Sequence, residues 1–191
     1  MARPLSEEKR DALLTAAAEL VAALGTAAST AKIARAAGVS EGTLFTYFPT
    51  KDDLLNALFV EIETNLAETV LAPYPASVDA RERLRLIWCR VVEWGLANPT
   101  WRRAMRQLKV SEHVTDVSRQ RCEARFRELR GMVEEILSGH ADPGFAAFYI
   151  DTALIGLADM VMDAIAASPK DHEIISEAGF TLFWNGTAGA G

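Results

Sequence analysis

Cysteine is scarce in this chain: Cys89 and Cys122 are the only two among 191 residues. They stand far apart in apolar helical patterns. Reduced core thiols are therefore expected, and neither a disulfide framework nor a thiolate metal site. Histidine is almost as rare. His113, His140 and His172 are widely spaced near the ends of predicted helices, where capping or solvation is their expected role. Catalytic signatures are missing too. There is no nucleophile elbow, no phosphate-cradling glycine loop and no His-Glu-x-x-His pair. No enzyme activity, metal or cofactor is expected. Asp159 and Asp163, four apart, are read as flanking an interface or pairing with arginine rather than as ligands. No apolar run approaches the ~20 residues that cross a bilayer. The polar start, with Glu7, Glu8, Lys9 and Arg10, does not read as a signal peptide. A cytoplasmic protein without membrane contact is expected.

A surplus of positive charge is also lacking. Twenty basic residues face twenty-six acidic ones, for a net charge of −6. The first 50 residues balance, with five cations (Arg3, Lys9, Arg10, Lys32, Arg35) and five anions (Glu7, Glu8, Asp11, Glu19, Glu41). This excludes a nonspecific nucleic-acid coat. Any duplex binding must come from local cations, hydroxyls and helix N-termini. What is present is a hydrophobic share of 50% and a charged share of 24%, enough for a packed core.

The most informative stretch is Ser29 to Leu58. Ser29 or Thr30 can cap a helix carrying Ile33, Ala34 and Ala37 on one face. Gly38 follows, the residue type at which helices end in a left-handed turn, and Val39 can plug the corner. Ser40 then caps a short second helix, Glu41 to Phe48, with Leu44 and Phe48 inward. Pro49 stops it, and Thr50 with Asp53 forms a capping box for the next helix. The spacing fits a helix-turn-helix, whose second helix enters a major groove, and it also fits an ordinary helical hairpin. On the first reading the outward face is Ser40, Glu41, Thr43 and Thr46, with Gly42 admitting close backbone approach.

This stretch resembles the DNA-binding domain of the TetR/AcrR family of bacterial transcriptional regulators. The matching residues are Thr30, Ile33-Ala34, Ala37-Gly38-Val39-Ser40, Gly42-Thr43-Leu44, Tyr47-Phe48, Lys51 and Leu54-Leu55. The resemblance implies an all-helical homodimer of about nine helices per chain. A helix-turn-helix domain (residues 1–50) would precede a ligand-binding and dimerisation domain (residues 51–191). It implies phosphate contacts by Thr30, Tyr47 and Lys51, and a recognition helix from Ser40 through Glu41, Gly42 and Thr43 to Thr46, with Lys32 as a further local cation. The family usually has tyrosine where this chain has Phe45, which removes one phosphate donor. The expected partners are a palindromic DNA operator, a small apolar or amphipathic effector and a second copy of the chain. The rival reading is a helical small-molecule-binding protein without a DNA function.

The rest of the chain reads as helices. Leu13, Ala17, Leu20, Val21 and Leu24 line the first, capped by Ser6 and ended by Gly25. Residues 73–77 form a proline-rich break. Trp88, Trp94, Trp101, Met105, Phe126 and Phe148 are the candidates for lining an effector cavity, or are plain core. The basic run Arg102, Arg103, Arg106 and Lys109 reads as a solvated face in preference to an anion-binding wall. The helix after Asp142-Pro143 is apolar nearly all round, so it is either the central core helix of a monomer or covered by a partner. In the second case it pairs with the last helix and their copies in a four-helix bundle. The face would carry Tyr149, Ala153, Gly156, Met160, Phe180, Phe183 and Trp184.

Overall fold

The computed structural model describes residues 6–74 and 78–189. Nine helices run through them: α1 (Glu7–Leu24), α2 (Thr30–Ala36), α3 (Glu41–Tyr47), α4 (Lys51–Val70), α5 (Ala80–Ala97), α6 (Pro99–Lys109), α7 (Asp116–Leu137), α8 (Pro143–Ala167) and α9 (His172–Thr187). The all-helical expectation holds. Pro75–Ser77, part of the expected proline-rich break, lie outside the described residues. The helices sort into two compact units. One takes the chain up to Asn65 together with Asn98–Ala124; the other takes Leu66–Ala97 and the chain from Arg125 onward. The first unit thus draws on both sides of residue 50, and α4 and α7 each contribute to both units.

In the first unit, α1 buries Leu13, Leu14, Ala17 and Val21 and packs on α6 and α2. Ala16, Ala17 and Ala18 make its surface shallow, so neighbouring backbones can come near. From α6 the inward residues are Ala104, Met105 and Leu108; from α4 they are Leu54, Leu55, Leu58 and Ile62. Each large side chain covered in this way stabilises by about 1.5–3 kcal/mol. Ser6 stands at the first cap of α1, as expected, but its hydroxyl makes no capping bond. Its main-chain N–H donates instead to the Tyr47 hydroxyl oxygen at 3.0 Å.

The loop between α6 and α7 is stitched to the first turns of α4. Asn56 donates to the carbonyl of His113 at 2.8 Å and accepts from the Thr115 N–H at 2.9 Å. His113 Nδ1 lies 2.8 Å from a carboxylate oxygen of Asp52. Arg119 donates to the carbonyls of Lys109 and Ser111 at 3.1 and 3.0 Å.

In the second unit, α5, α8 and α9 share one core. Trp88 is 1% exposed, and its Nε1 donates to the carbonyl of Ser176 at 3.1 Å. Gly179 makes this crossing possible: a Cβ there would lie 2.4 Å from Val161 and 2.8 Å from the Trp88 ring. Phe180 tilts against Trp88 with centroids 6.4 Å apart. At the end of α4, Arg90 stacks 4.0 Å over the Tyr74 ring and donates to the carbonyls of Val70, Ala72 and Pro73. A cation there satisfies carbonyls that the ending helix leaves open.

α8 corrects one sequence expectation. Pro143–Ala167 is long and apolar enough, by length and composition, to cross a membrane, and 28% of its most apolar window is buried. Its aspartates interrupt the apolar run without lowering the mean hydropathy of the window far enough. The covered side is Ile150, Leu154, Ala158, Val161 and Ile165; Phe148, Ile155, Gly156 and Met160 face outward. The stretch Tyr149–Leu154 is wound as a π-helix.

Candidate nucleic-acid interface

The head of the first unit is built from its caps. Ser29 accepts from the Lys32 N–H at 3.3 Å to start α2. At the other end Gly38 takes φ +70°, a backbone state that costs an L side chain about 1–2 kcal/mol. The Gly38 N–H reaches the Arg35 carbonyl at 3.1 Å and the Val39 N–H reaches the Ala34 carbonyl at 2.9 Å. Those two bonds are the Schellman pair that closes a helix and turns the chain. Ser40 then caps α3, accepting from the Thr43 N–H at 3.1 Å. Leu44 is fully buried beneath the helix and Phe48 nearly so. Thr50 and Asp53 make the reciprocal capping box that starts α4, with bonds of 3.0 and 3.1 Å. The corner at Gly38 and these caps leave the other side of α3 open to solvent.

The structure brings the expected contact residues to that head. Ser40, Glu41, Gly42 and Thr46 are exposed, as is Lys32; Thr30, Thr43, Tyr47 and Lys51 are half-buried. Several hydroxyls are already engaged. Thr46 donates to the Gly42 carbonyl at 3.0 Å, and the Ser40 and Thr43 hydroxyls share a bond of 2.9 Å. The Thr30 hydroxyl, expected to reach a phosphate, donates instead to the Glu41 carboxylate at 2.6 Å. Its proton is committed within the protein, because Glu41 is the nearer anion. The Tyr47 oxygen accepts from Ser6, which leaves its own proton to donate outward. Asp52 and Asp53, beside Lys51, are bonded to His113 and Thr50. Phe45 is 40% exposed.

The expected cavity residues are dispersed. Trp101 and Met105 lie in the first unit; Trp88, Trp94, Phe126 and Phe148 lie in the second. Trp88 is filled in by Ser176, Gly179 and Phe180, so it is a core anchor rather than a cavity wall. Phe148 is 54% exposed and tilts against Tyr149 at 5.8 Å, on the open side of α8. None of the six lines the open depression that the second unit does carry, on α9 between Glu173 and Gly186.

The pairing residues also divide. Met160 and Gly156 face outward, and Tyr149 and Ala153 are half-buried. Trp184 stacks on the His140 ring at 3.7 Å. Phe180 and Phe183 are buried inside the unit's own core and leave the list of outward residues, because the inward stripe of α9 falls on them. Its outward stripe, at intervals of four, is Ile174, Ala178, Leu182 and Gly186. Sequence reasoning missed Ala178, Leu182 and Gly186 of that stripe, as well as the Asn56 and Ser6 bonds. The fourfold spacing was a usable signal for the stripe; nothing in the sequence announced the two bonds.

Residues 13–58, from within α1 into α4, match the family described as bacterial regulatory proteins, tetR family. The nucleoid occlusion factor SlmA of Aliivibrio fischeri is 28% identical over 136 residues, covering 70% of this chain and 67% of that protein. The crystal structure of a TetR family transcription regulator from Marinobacter aquaeolei shares the fold with a TM-score of 0.79 and 28% identity, covering 96% and 97% of the two chains. The regulator FadR from Bacillus subtilis, solved in complex with stearoyl-CoA, shares it with a TM-score of 0.68 and 20% identity, covering 92% and 98%. The head thus matches the tetR family of bacterial regulatory proteins over residues 13–58, and the fold is shared with TetR family transcription regulators of known structure.

Proposed function

We propose that the protein is a homodimeric repressor in the cytoplasm, binding a palindromic operator and controlled by a small apolar or amphipathic effector. The DNA half of this reading is carried by one observation: a Gly38-cornered head that leaves the outer side of α3 open beside Tyr47, Lys51 and Lys32. Tyr47 and Lys51 hold phosphates, and α3 meets base edges. Two-fold symmetry sets the half-sites about 34–36 Å apart, one turn of duplex.

The dimer half rests on apolar surface that a lone chain leaves in water. Met160 on α8 is 70% exposed, and Ile174 and Leu182 on α9 are 73% and 63% exposed. A second copy of the same two helices covers them in an isologous bundle. The same pairing accounts for an apolar α8 without a bilayer. The effector half is supported by the fold alone, which in the Bacillus subtilis FadR holds stearoyl-CoA. Effector binding would then shift the population of the DNA-competent arrangement.

The test is selection of bound sequences from random duplexes, followed by mobility shifts on the selected site with and without long-chain acyl-CoA as the first probe. An inverted repeat is expected. Tyr47→Phe should weaken binding to all sequences alike, while Thr43→Ala should change sequence preference. If both variants bind the selected site as the parent does, α3 does not dock on DNA in this way.

A further inference from the structure

Most polar side-chain groups on the outer side of α3 are spent within the protein. The Ser40 hydroxyl serves the Thr43 N–H and the Thr43 hydroxyl, and the Thr46 proton goes to the Gly42 carbonyl. Two exposed side chains differ. Glu41 and Phe45 stand one turn apart, on one face of the helix. The Glu41 carboxylate receives the Thr30 hydroxyl at 2.6 Å. That bond fixes its orientation and takes one of about four acceptor positions, so the others remain for a donor.

Resting on the operator reading above, we propose that Glu41 is a residue by which α3 selects a base. Its carboxylate accepts from the N4 amino group of a cytosine, while the Phe45 ring packs on the methyl of a neighbouring thymine. Thr30 is the positioning residue that aims the carboxylate. The chemistry selects cytosine. A carboxylate only accepts, and the major-groove edge offers donors at cytosine N4 and adenine N6 alone. Adenine carries the acceptor N7 beside its amino group and repels a second acceptor; cytosine carries a C–H there. Guanine O6 and N7 and thymine O4 also repel it. A ring without a hydroxyl suits a methyl contact, which gives Phe45 a role where the family's usual tyrosine would offer a phosphate donor. A negative charge on this face also weakens attachment to phosphates at large, so discrimination comes partly by repulsion.

The experiment carries wild type, Glu41→Ala, Glu41→Gln and Phe45→Ala through selection from random duplexes, with circular dichroism melts as a check on folding. Wild type should enrich a half-site with one fixed cytosine. That position should become degenerate in Glu41→Ala and turn to adenine in Glu41→Gln, since an amide matches adenine's donor–acceptor pair. On the wild-type site, replacing that cytosine should weaken wild type about tenfold or more and change Glu41→Ala by less than about twofold. Uracil in place of the neighbouring thymine should weaken wild type and leave Phe45→Ala unaffected. The base replacements need no altered protein, so the wild-type titrations stand even where a variant melts early. An unchanged consensus in Glu41→Ala, or wild-type affinity indifferent to every cytosine in the half-site, overturns the assignment. Wild type that enriches no sequence overturns the operator reading instead.

Discussion

Glu63 sets a carboxylate in the packed face of α4, 7% exposed, with Lys109 Nζ at 3.7 Å. Burial raises its pKa above the ordinary carboxylate value, and the Lys109 charge and hydrogen bond only partly oppose that. A raised carboxyl pKa means that the folded state holds the proton more tightly than the unfolded one. Its contribution is therefore fully favourable below the unfolded pKa and is lost as pH rises through the folded one. Glu63→Gln should accordingly raise stability at pH 7, and the gain should vanish as pH falls below the ordinary value near 4.5. Urea denaturation at several pH values reads this directly. A Glu63→Gln protein less stable than the parent at neutral pH would mean that the Lys109 pairing outweighs the desolvation. At this scale the sequence was only half legible. Residue types told which positions carry hydroxyls and carboxylates near the head. They did not tell that the proton of Thr30 goes to Glu41, because both side chains are short, polar and able to turn either way.

Among the elements, α2, α3 and the start of α4 were legible because each begins and ends on a cap whose chemistry is local: Ser29, Gly38, Ser40, and Thr50 with Asp53. α6 was legible as a helix but not as a neighbour of α1. Periodicity shows that a helix has an apolar side, and says nothing about which partner meets it. Two residues of α9, Phe180 and Phe183, were placed outward for a related reason and lie in the core. With apolar residues on two sides, the bulky Phe180 and Phe183 drew the interface, whereas bulk is what the core against Trp88 requires. The α6–α7 loop left no mark in the sequence, yet Asn56 holds it with two long-range partners, His113 and Thr115. Asn56→Ala should free this loop from α4. Faster amide exchange at residues 110–115 and quicker tryptic cleavage after Lys109 are expected, with the helices of the second unit unchanged. Equal cleavage rates in the variant and the parent would show that Arg119 and the His113–Asp52 contact hold the loop without Asn56.

For the whole molecule, charge and apolar surface divide the labour. Residues 125–191 contain ten carboxylates and four cations, so they carry the entire net charge of −6, and residues 1–124 balance. The acidic part repels a duplex and the neutral part tolerates one, which suits DNA binding by placement of single groups rather than by bulk charge. The same acidic part holds the outward stripe of Met160, Ile174, Ala178 and Leu182, and a second copy is the occupant proposed for it. Leu182→Glu would place like charges together across the proposed two-fold axis and should leave a folded monomer that binds a full operator far more weakly than the parent. The central claim is that two chains act as one reader. It is tested most directly by sedimentation equilibrium of the protein with a duplex carrying the selected site. Two wild-type chains per duplex are predicted, with Leu182→Glu shifted toward free monomer. A single wild-type chain per duplex at saturation, or no complex at any concentration where the protein stays folded, would contradict it.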